Sequence, residues 1–170
     1  MEKPALPFSM KPPAGGFSMI ELMVVLAIVA ILALMAAPNF QYKVARDQIT
    51  EALPLADLAK KPIAAAYAAL HTLPADNASI DLPAPDKIVS NLVSAVAVEN
   101  GAIQITFGNR ATGLLKGKIL TLRPAVVEDA QMVPVAWICG FAPIPINMNA
   151  KGENKTNIDP SYLPFSCRAK

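Results

Sequence analysis

The sequence is poor in the residues that build catalytic and metal sites. Among 170 residues it has one histidine, His71, two cysteines and one tryptophan. The histidine and the cysteines do not cluster, and no glycine-rich phosphate loop, nucleophile elbow or metal-ligand spacing appears. We therefore expect no catalytic residue, no metal and no cofactor, and neither enzymatic activity nor a small-molecule substrate.

A large excess of charge of one sign is also missing. Fifteen lysines and arginines against 13 acidic residues leave a formal charge of +2, so no strong electrostatic field is implied. The basic residues are spread along the globular part with acidic residues interspersed, and aromatic residues for base stacking are few. A surface repeated along a polymer would gain avidity, however, so weak DNA binding stays an open expectation.

What the sequence does have is one long apolar run. From Phe17 to Ala37 the only charged residue is Glu21, and the nearest charges outside the run are Lys11 and Lys43. A helix of this length reaches about 32 Å at 1.5 Å per residue, which is enough to cross a hydrocarbon core of roughly 30 Å. The run therefore predicts a transmembrane helix over 17–38.

The carboxylate inside this run needs a partner. An ionised carboxylate costs on the order of 2.5–3.5 kcal/mol at the centre of a bilayer. Cleavage after Gly16 would create one, because Phe17 would then carry an α-amino group one helical turn from Glu21. Between two staggered chains, Glu21 of one chain would neutralise the amine of the other. The pattern predicts that identical helices stack into a filament.

The segment that carries this pattern resembles the cleavage and methylation segment of type IV pilins. It consists of Gly16-Phe17-Ser18-Met19-Ile20-Glu21-Leu22-Met23-Val24-Val25. An ordinary signal peptide is disfavoured, because its small-residue cleavage site follows the apolar region. The resemblance implies that a prepilin peptidase cuts between Gly16 and Phe17 and N-methylates Phe17, and that Glu21 guides assembly.

Two features bear on how closely the chain follows the family. The leader, residues 1–16, is longer than usual, and either Met1 or Met10 is the start. Pro38 matches a proline that kinks the family's helix, since proline removes one helical hydrogen bond. Ala30 stands where many members have glycine, so unwinding between Ala30 and Pro38 is left open.

The two cysteines, Cys139 and Cys167, lie in the C-terminal third. An even count in an exported chain predicts one disulfide, with two unpaired buried thiols as the alternative. The intervening segment is rich in proline, glycine and asparagine and has little apolar sequence for a core of its own. Type IV pilins commonly have a disulfide-bounded region here, which would span 139–167.

The remaining residues predict an α+β fold for a head spanning 39–170. Apolar residues recur every three or four positions over 39–70, which predicts an amphipathic helix continuing the first, with bends or breaks at Pro54 and Pro62. Residues 71–91 form a connecting loop. Four strand candidates follow within 92–139, at 93–98, 102–107, 118–123 and 134–139, and Asn-Gly predicts a tight turn between the first two. A long N-terminal helix packed on a four-stranded antiparallel sheet results.

The predicted function is that of a structural subunit of a type IV pilus. The resemblance implies a homo-oligomeric helical filament for adhesion, twitching motility or DNA uptake. It also implies a precursor in the inner membrane with a periplasmic C-terminal domain, and assembly by a pilus ATPase and platform proteins into a cell-surface pilus. The alternatives are a pseudopilin of a type II secretion system and a minor pilin of the same pilus. Pseudopilins more often have a calcium-bound loop, for which Glu153 and Asp159 are too sparse.

Overall fold

The chain forms a long helical region followed by an antiparallel sheet. The computed structural model describes residues 16–128, 130 and 132–169, without the side chains of 36–39. The chain divides between Pro38 and Asn39 into two compact units, which we call the anchor (residues up to 38) and the head (from 39). The predicted leader lies outside the described residues, apart from Gly16.

The helical region consists of three consecutive elements: α1 (Met19–Ala52), a 3₁₀ turn (Leu53–Ala56) and α2 (Asp57–Leu70). Pro54 lies in the 3₁₀ turn, where it interrupts the α-helical ladder, because proline has no N–H to donate. Pro62, the other predicted break, stays inside α2. Pro38 lies within α1, but its side chain is outside the described residues, so the bend there stays a prediction.

The sheet contains four antiparallel strands in the order of the chain: β1 (Val93–Glu99), β2 (Ala102–Phe107), β3 (Ile119–Val126) and β4 (Ala136–Cys139). A two-residue strand, β5 (Asn149–Ala150), pairs with the end of β3. The β1–β2 turn has Asn100 at φ 49° and Gly101 at φ 81°, as a two-residue turn with two left-handed positions requires. The predicted sheet and its tight turn are confirmed.

The bounds of three strands differ from the prediction, and β1 does so only by ending at Glu99 instead of Val98. The third strand was predicted to end at Arg123, before Pro124, whereas β3 continues to Val126. Proline cannot donate to a ladder, but its carbonyl still accepts, and Lys151 N–H donates to Pro124 O at 2.8 Å. β4 begins at Ala136 rather than at Pro134. β5 was not predicted, because two residues are too short to show alternation.

The core of the head lies between the helical region and one face of the sheet. The buried helical residues are Ala45, Ile49, Ala52, Ala56, Ala59 and Ile63, and those of the sheet include Val96, Ile103, Ile105, Phe107, Leu120 and Leu122. These helical positions are three or four residues apart, as the predicted stripe requires. Leu70, which was also assigned to the stripe, is 68% exposed, because α2 ends there. The predicted α+β fold is confirmed.

Candidate assembly segment and its support

The first turn of α1 brings the predicted assembly residues together. Ser18 precedes the helix, and its Oγ accepts the backbone N–H of Glu21 at 3.2 Å. This is an N-cap, which satisfies one of the donors that a helix start leaves free. Phe17 is 83% exposed and Glu21 is exposed as well. The carboxylate therefore stands one turn from the position at which cleavage would create an amine.

The anchor exposes its apolar side chains. Every described side chain from Phe17 to Met35 is exposed, among them Leu26, Ile28 and Ile31. By length and composition alone, this part of the chain could cross a membrane. In other proteins, an apolar surface of this size is covered by lipid or by another protein surface. The anchor therefore has the surface of a segment that lipid or another protein covers.

The disulfide-bounded region packs against the rest of the head. A disulfide joins Cys139 to Cys167, as predicted, and Ile158 and Leu163 between them are buried in the core of the head. At Gly152, a left-handed residue, a Cβ atom would lie 2.6 Å from that of Ala102. The region is thus packed on the sheet, and it contributes more to the core than its composition suggested.

Beneath this region a polar pair is buried between β2 and β3. Thr121 Oγ1 donates to Gln104 Oε1 at 2.6 Å and accepts from the backbone N–H of Lys155 at 3.0 Å. Gln104 Nε2 donates to the carbonyl of Glu153 at 3.3 Å. Buried polar groups are costly unless they are hydrogen-bonded, so these bonds hold the disulfide-bounded region in one position on the sheet.

Two ion pairs join the same region to the sheet. Lys155 pairs with Glu99 at the end of β1, and Lys151 Nζ donates to Glu128 Oε1 at 2.8 Å. The Lys151 hydrogen bond holds the pKa of Glu128 below its ordinary value, and the Glu99 carboxylate raises the pKa of Lys155. Exposed pairs of this kind contribute little to stability.

The C-terminal residues contact α1 directly. Arg46 Nη2 and Arg168 Nη2 both donate to Ser161 O at 2.9 Å. The rings of Tyr42 and Tyr162 stack with centroids 5.3 Å apart. Arg46 and Ser161 are 115 residues apart in sequence, and their contact, together with the tyrosine stack, connects the helical region of the head with the disulfide-bounded region.

Two further predictions, on His71 and on metal binding, do not concern the assembly segment or its support. His71 is exposed and caps the end of α2 in a left-handed conformation. In the part of the chain that the structure describes, no three His, Cys, Asp or Glu side chains form a metal-binding group. The predicted absence of a metal or cofactor remains a prediction.

Two supporting residues, Ser18 and Arg46, were not predicted from the sequence. Ser18 could have been found, because serine three residues before a glutamate and an apolar run is an N-cap signature. Arg46 could not, because its partner Ser161 is far along the chain and nothing local marks a backbone carbonyl as an acceptor.

An exposed apolar helix with one carboxylate in its first turn, attached to a folded head, is typical of subunits that polymerise through a membrane anchor. Residues 45–168 match the pilin family, described as pilin of the bacterial filament, and residues 12–37 match the prokaryotic N-terminal methylation motif. The chain therefore belongs to the type IV pilin family and is a structural subunit of a pilus.

Relatives match over nearly the whole chain. The chain is 36% identical over 162 residues to the type IV major pilin protein PilE of Neisseria gonorrhoeae, which covers 90% of this chain and 93% of that protein. It is 35% identical over 164 residues to the fimbrial protein EcpC of Eikenella corrodens, with 94% of each covered. A fimbrial protein of Neisseria meningitidis serogroup A is 35% identical over 163 residues, with 90% of this chain and 93% of that protein covered.

Proposed function

We propose that this chain is the principal subunit of its pilus and assembles through residues 17–38 after cleavage between Gly16 and Phe17. The observation that carries the proposal is the first turn of α1, where an exposed carboxylate follows the cleavage position within an anchor whose described side chains are all exposed. Before assembly, lipid covers the anchor. In the filament, the anchors of other copies replace the lipid.

Glu21 sets the register of this assembly. In lipid it has no ionic partner, and an unpaired buried charge is strongly unfavourable. The methylated amine of Phe17 on an incoming subunit provides the partner, so the correct axial position is the one at which the two charges meet. Ser18 keeps the first turn helical and thereby keeps Glu21 in place.

A principal rather than a minor subunit is supported by the relatives. PilE is named a major pilin, and it aligns over 93% of its length without leaving a large unmatched part of this chain. The alternative of a type II secretion pseudopilin is not favoured by any of the named relatives. We assign the chain no catalytic role and no cofactor.

The proposed route follows from the anchor. A prepilin peptidase processes the precursor in the inner membrane while the head lies in the periplasm, and the assembly ATPase and platform proteins extract it into a surface pilus. Adhesion, twitching motility or DNA uptake would be functions of that filament. Weak DNA binding by repeated basic surfaces would appear as salt-dependent binding to intact pili.

Intact-mass measurement of pili purified from a strain with this chain as its sole pilin tests the proposal. The expected mass is that of the 154 residues following Gly16 plus one methyl group. Gly16→Leu, which places a bulky side chain before the scissile bond, should retain the precursor mass and leave no pili. Filaments built from a chain that keeps residues 1–16 would contradict the proposal.

A further inference from the structure

The head carries opposite charges at the two ends of its sheet. The β2–β3 loop (108–118) has three exposed basic residues, Arg110, Lys116 and Lys118, and no acidic residue. Among the residues that the structure describes, none of the three forms an ion pair. Asp159, whose carboxylate accepts hydrogen bonds from Ser161, lines the same recess as Lys118 and offsets one of the three positive charges, which leaves an excess of basic residues at this end. We call this end the basic end.

Three exposed acidic residues of the head without an ion-pair partner lie at the other end, and Glu51 of α1 and Asp159 of the basic end also lack such a partner in the described part of the chain. Asp76 follows Ala75, whose carbonyl accepts from Asn100 in the β1–β2 turn. Asp81 lies in the same loop, which Asn77 bonds to Val96 and Val98. Glu153 follows Gly152, whose backbone packs on Ala102 at the start of β2. None of these three carboxylates has an ion-pair partner in the described part of the chain. We call this end the acidic end.

The two ends are separated by the length of a hairpin. The β2–β3 loop follows Phe107, and Arg110 N–H donates to Asn91 O before β1 begins, whereas the acidic end surrounds the turn at the opposite end of these strands. Six residues of β2 at 3.3–3.4 Å each make about 20 Å. This is roughly twice the Debye length at physiological salt, so neither end neutralises the other through solvent.

Each end also has apolar surface. A groove of about 390 Å³ at the basic end is lined by Phe40, Val44 and Leu114, with neighbouring polar residues. At the other end, Met132 lies in the β3–β4 loop and is fully exposed, and Ile146, three residues before β5, is 91% exposed. Protein interfaces typically surround an apolar centre with a polar rim, so both ends have the composition of a contact surface.

We propose that the basic end of one head docks on the acidic end of the next copy of this chain. The inference rests on the proposed function, because it describes a contact within the filament. A contact between two different surfaces of one chain is heterologous, and it generates an open helical polymer unless the ring closes. The complementary charges steer incoming subunits and oppose the wrong register.

Charge reversal tests the contact in cells with this full-length chain as the sole pilin. One variant, Lys116→Glu/Lys118→Glu, makes both ends acidic. A second, Asp81→Lys/Glu153→Lys, makes both ends basic, and leaves Asp76 to hold Ser79. Each alone should reduce sheared pili by at least about tenfold, because like charges facing each other across an interface are strongly unfavourable. Lys61→Glu, on an exposed lysine of α2, is the control and should assemble normally.

Combining the two sets of substitutions tests whether the two ends contact each other. Coexpression of the two variants, or all four changes in one chain, should restore pili, because opposite charges then meet again. If neither restores them although each subunit keeps its disulfide and its unfolding midpoint, the proposal is wrong. The proposal is also wrong if each charge-reversed variant, expressed alone, assembles normally. It is wrong as well if Lys116→Glu/Lys118→Glu fails to assemble only in membranes rich in anionic lipid, because that result would assign the basic end to a lipid surface. The wild-type chain expressed in the same strain is the reference. If it forms pili while the charge variants behave otherwise than expected, only the head contact is refuted and the proposed function stands.

Discussion

The two halves of α1 differ in what covers them. Up to Met35 every described apolar side chain is exposed, whereas from Ala45 onward Ala45, Ile49 and Ala52 are buried against the sheet of the same chain. Both halves are helical, but the first is almost wholly apolar, whereas the second combines an apolar stripe with charged residues. The difference shows that one helix can provide an intermolecular surface in its first part and an intramolecular core in its second, depending on whether its own chain supplies a complementary face.

Glu21→Ala changes the anchor half of α1 and should have the largest effect, which is on pilus yield. Membrane insertion should persist, because a lipid-buried charge is removed, but pilus yield should fall to background, since the amine of Phe17 loses its partner. Pili are counted by electron microscopy and quantified after shearing. The matched control is Glu51→Ala, which removes an exposed glutamate from the second half of the same helix. Wild-type pilus yield from Glu21→Ala would refute the pairing.

Ile49→Ala should affect the head alone. Truncating a fully buried isoleucine typically costs about 2–5 kcal/mol of unfolding free energy. Ile28→Ala makes the same chemical change at an exposed anchor position, and we expect it to leave the unfolding of the head unchanged. Chemical denaturation of the full-length protein in detergent measures both. Equal destabilisation by the two changes would show that anchor and head do not unfold separately.

The Cys139→Ala/Cys167→Ala variant removes the covalent link of the disulfide-bounded region. The chain-entropy relation for a sequence separation of 28 gives a loss of roughly 3.6 kcal/mol. The midpoint of thermal unfolding should fall, and reductant should lower the wild-type midpoint similarly while leaving the variant unaffected. An unchanged midpoint would mean that packing of Ile158 and Leu163, with the bonds to Thr121, holds the region without the disulfide.

The smallest expected effect concerns acid stability of the head. Ser79 and Ser161 hydrogen bonds hold the pKa of Asp76 and of Asp159 below their ordinary values. A lowered folded-state pKa stabilises the head above the unfolded value of about 3.9, and the contribution is lost as pH falls through the folded pKa. Asp76→Asn/Asp159→Asn should therefore flatten the fall in unfolding midpoint below about pH 4.

The control for this measurement is Asp81→Asn, because in the described residues no serine donates to its carboxylate. It should keep the wild-type pH dependence. A double variant whose midpoint falls with pH as steeply as the wild type would mean that these two carboxylates do not contribute.

Much of the head could be predicted because its signals are local. The spacing of Ile49, Ala52 and Ala56 predicted the buried face of the helical region, and Asn100-Gly101 predicted the hairpin. The extension of β3 past Pro124 was not predicted, because it depends on pairing with β4 and β5, and the positions of these partners are set by the fold. The roles of Phe17 and Glu21 in assembly remain predictions from the motif and its chemistry.

Local sequence patterns were sufficient to specify the anchor, the cleavage and methylation segment, the helix–sheet order and the cysteines available for a disulfide. Each depends on composition or spacing within a few tens of residues, and such patterns act before the chain has folded. Tertiary structure alone decided that the disulfide-bounded region crosses the sheet, that Gln104 and Thr121 are buried beneath it, and that Arg46 contacts Ser161. These are contacts between residues distant in sequence, whose energies exist only once the sheet has brought the two partners within hydrogen-bonding distance.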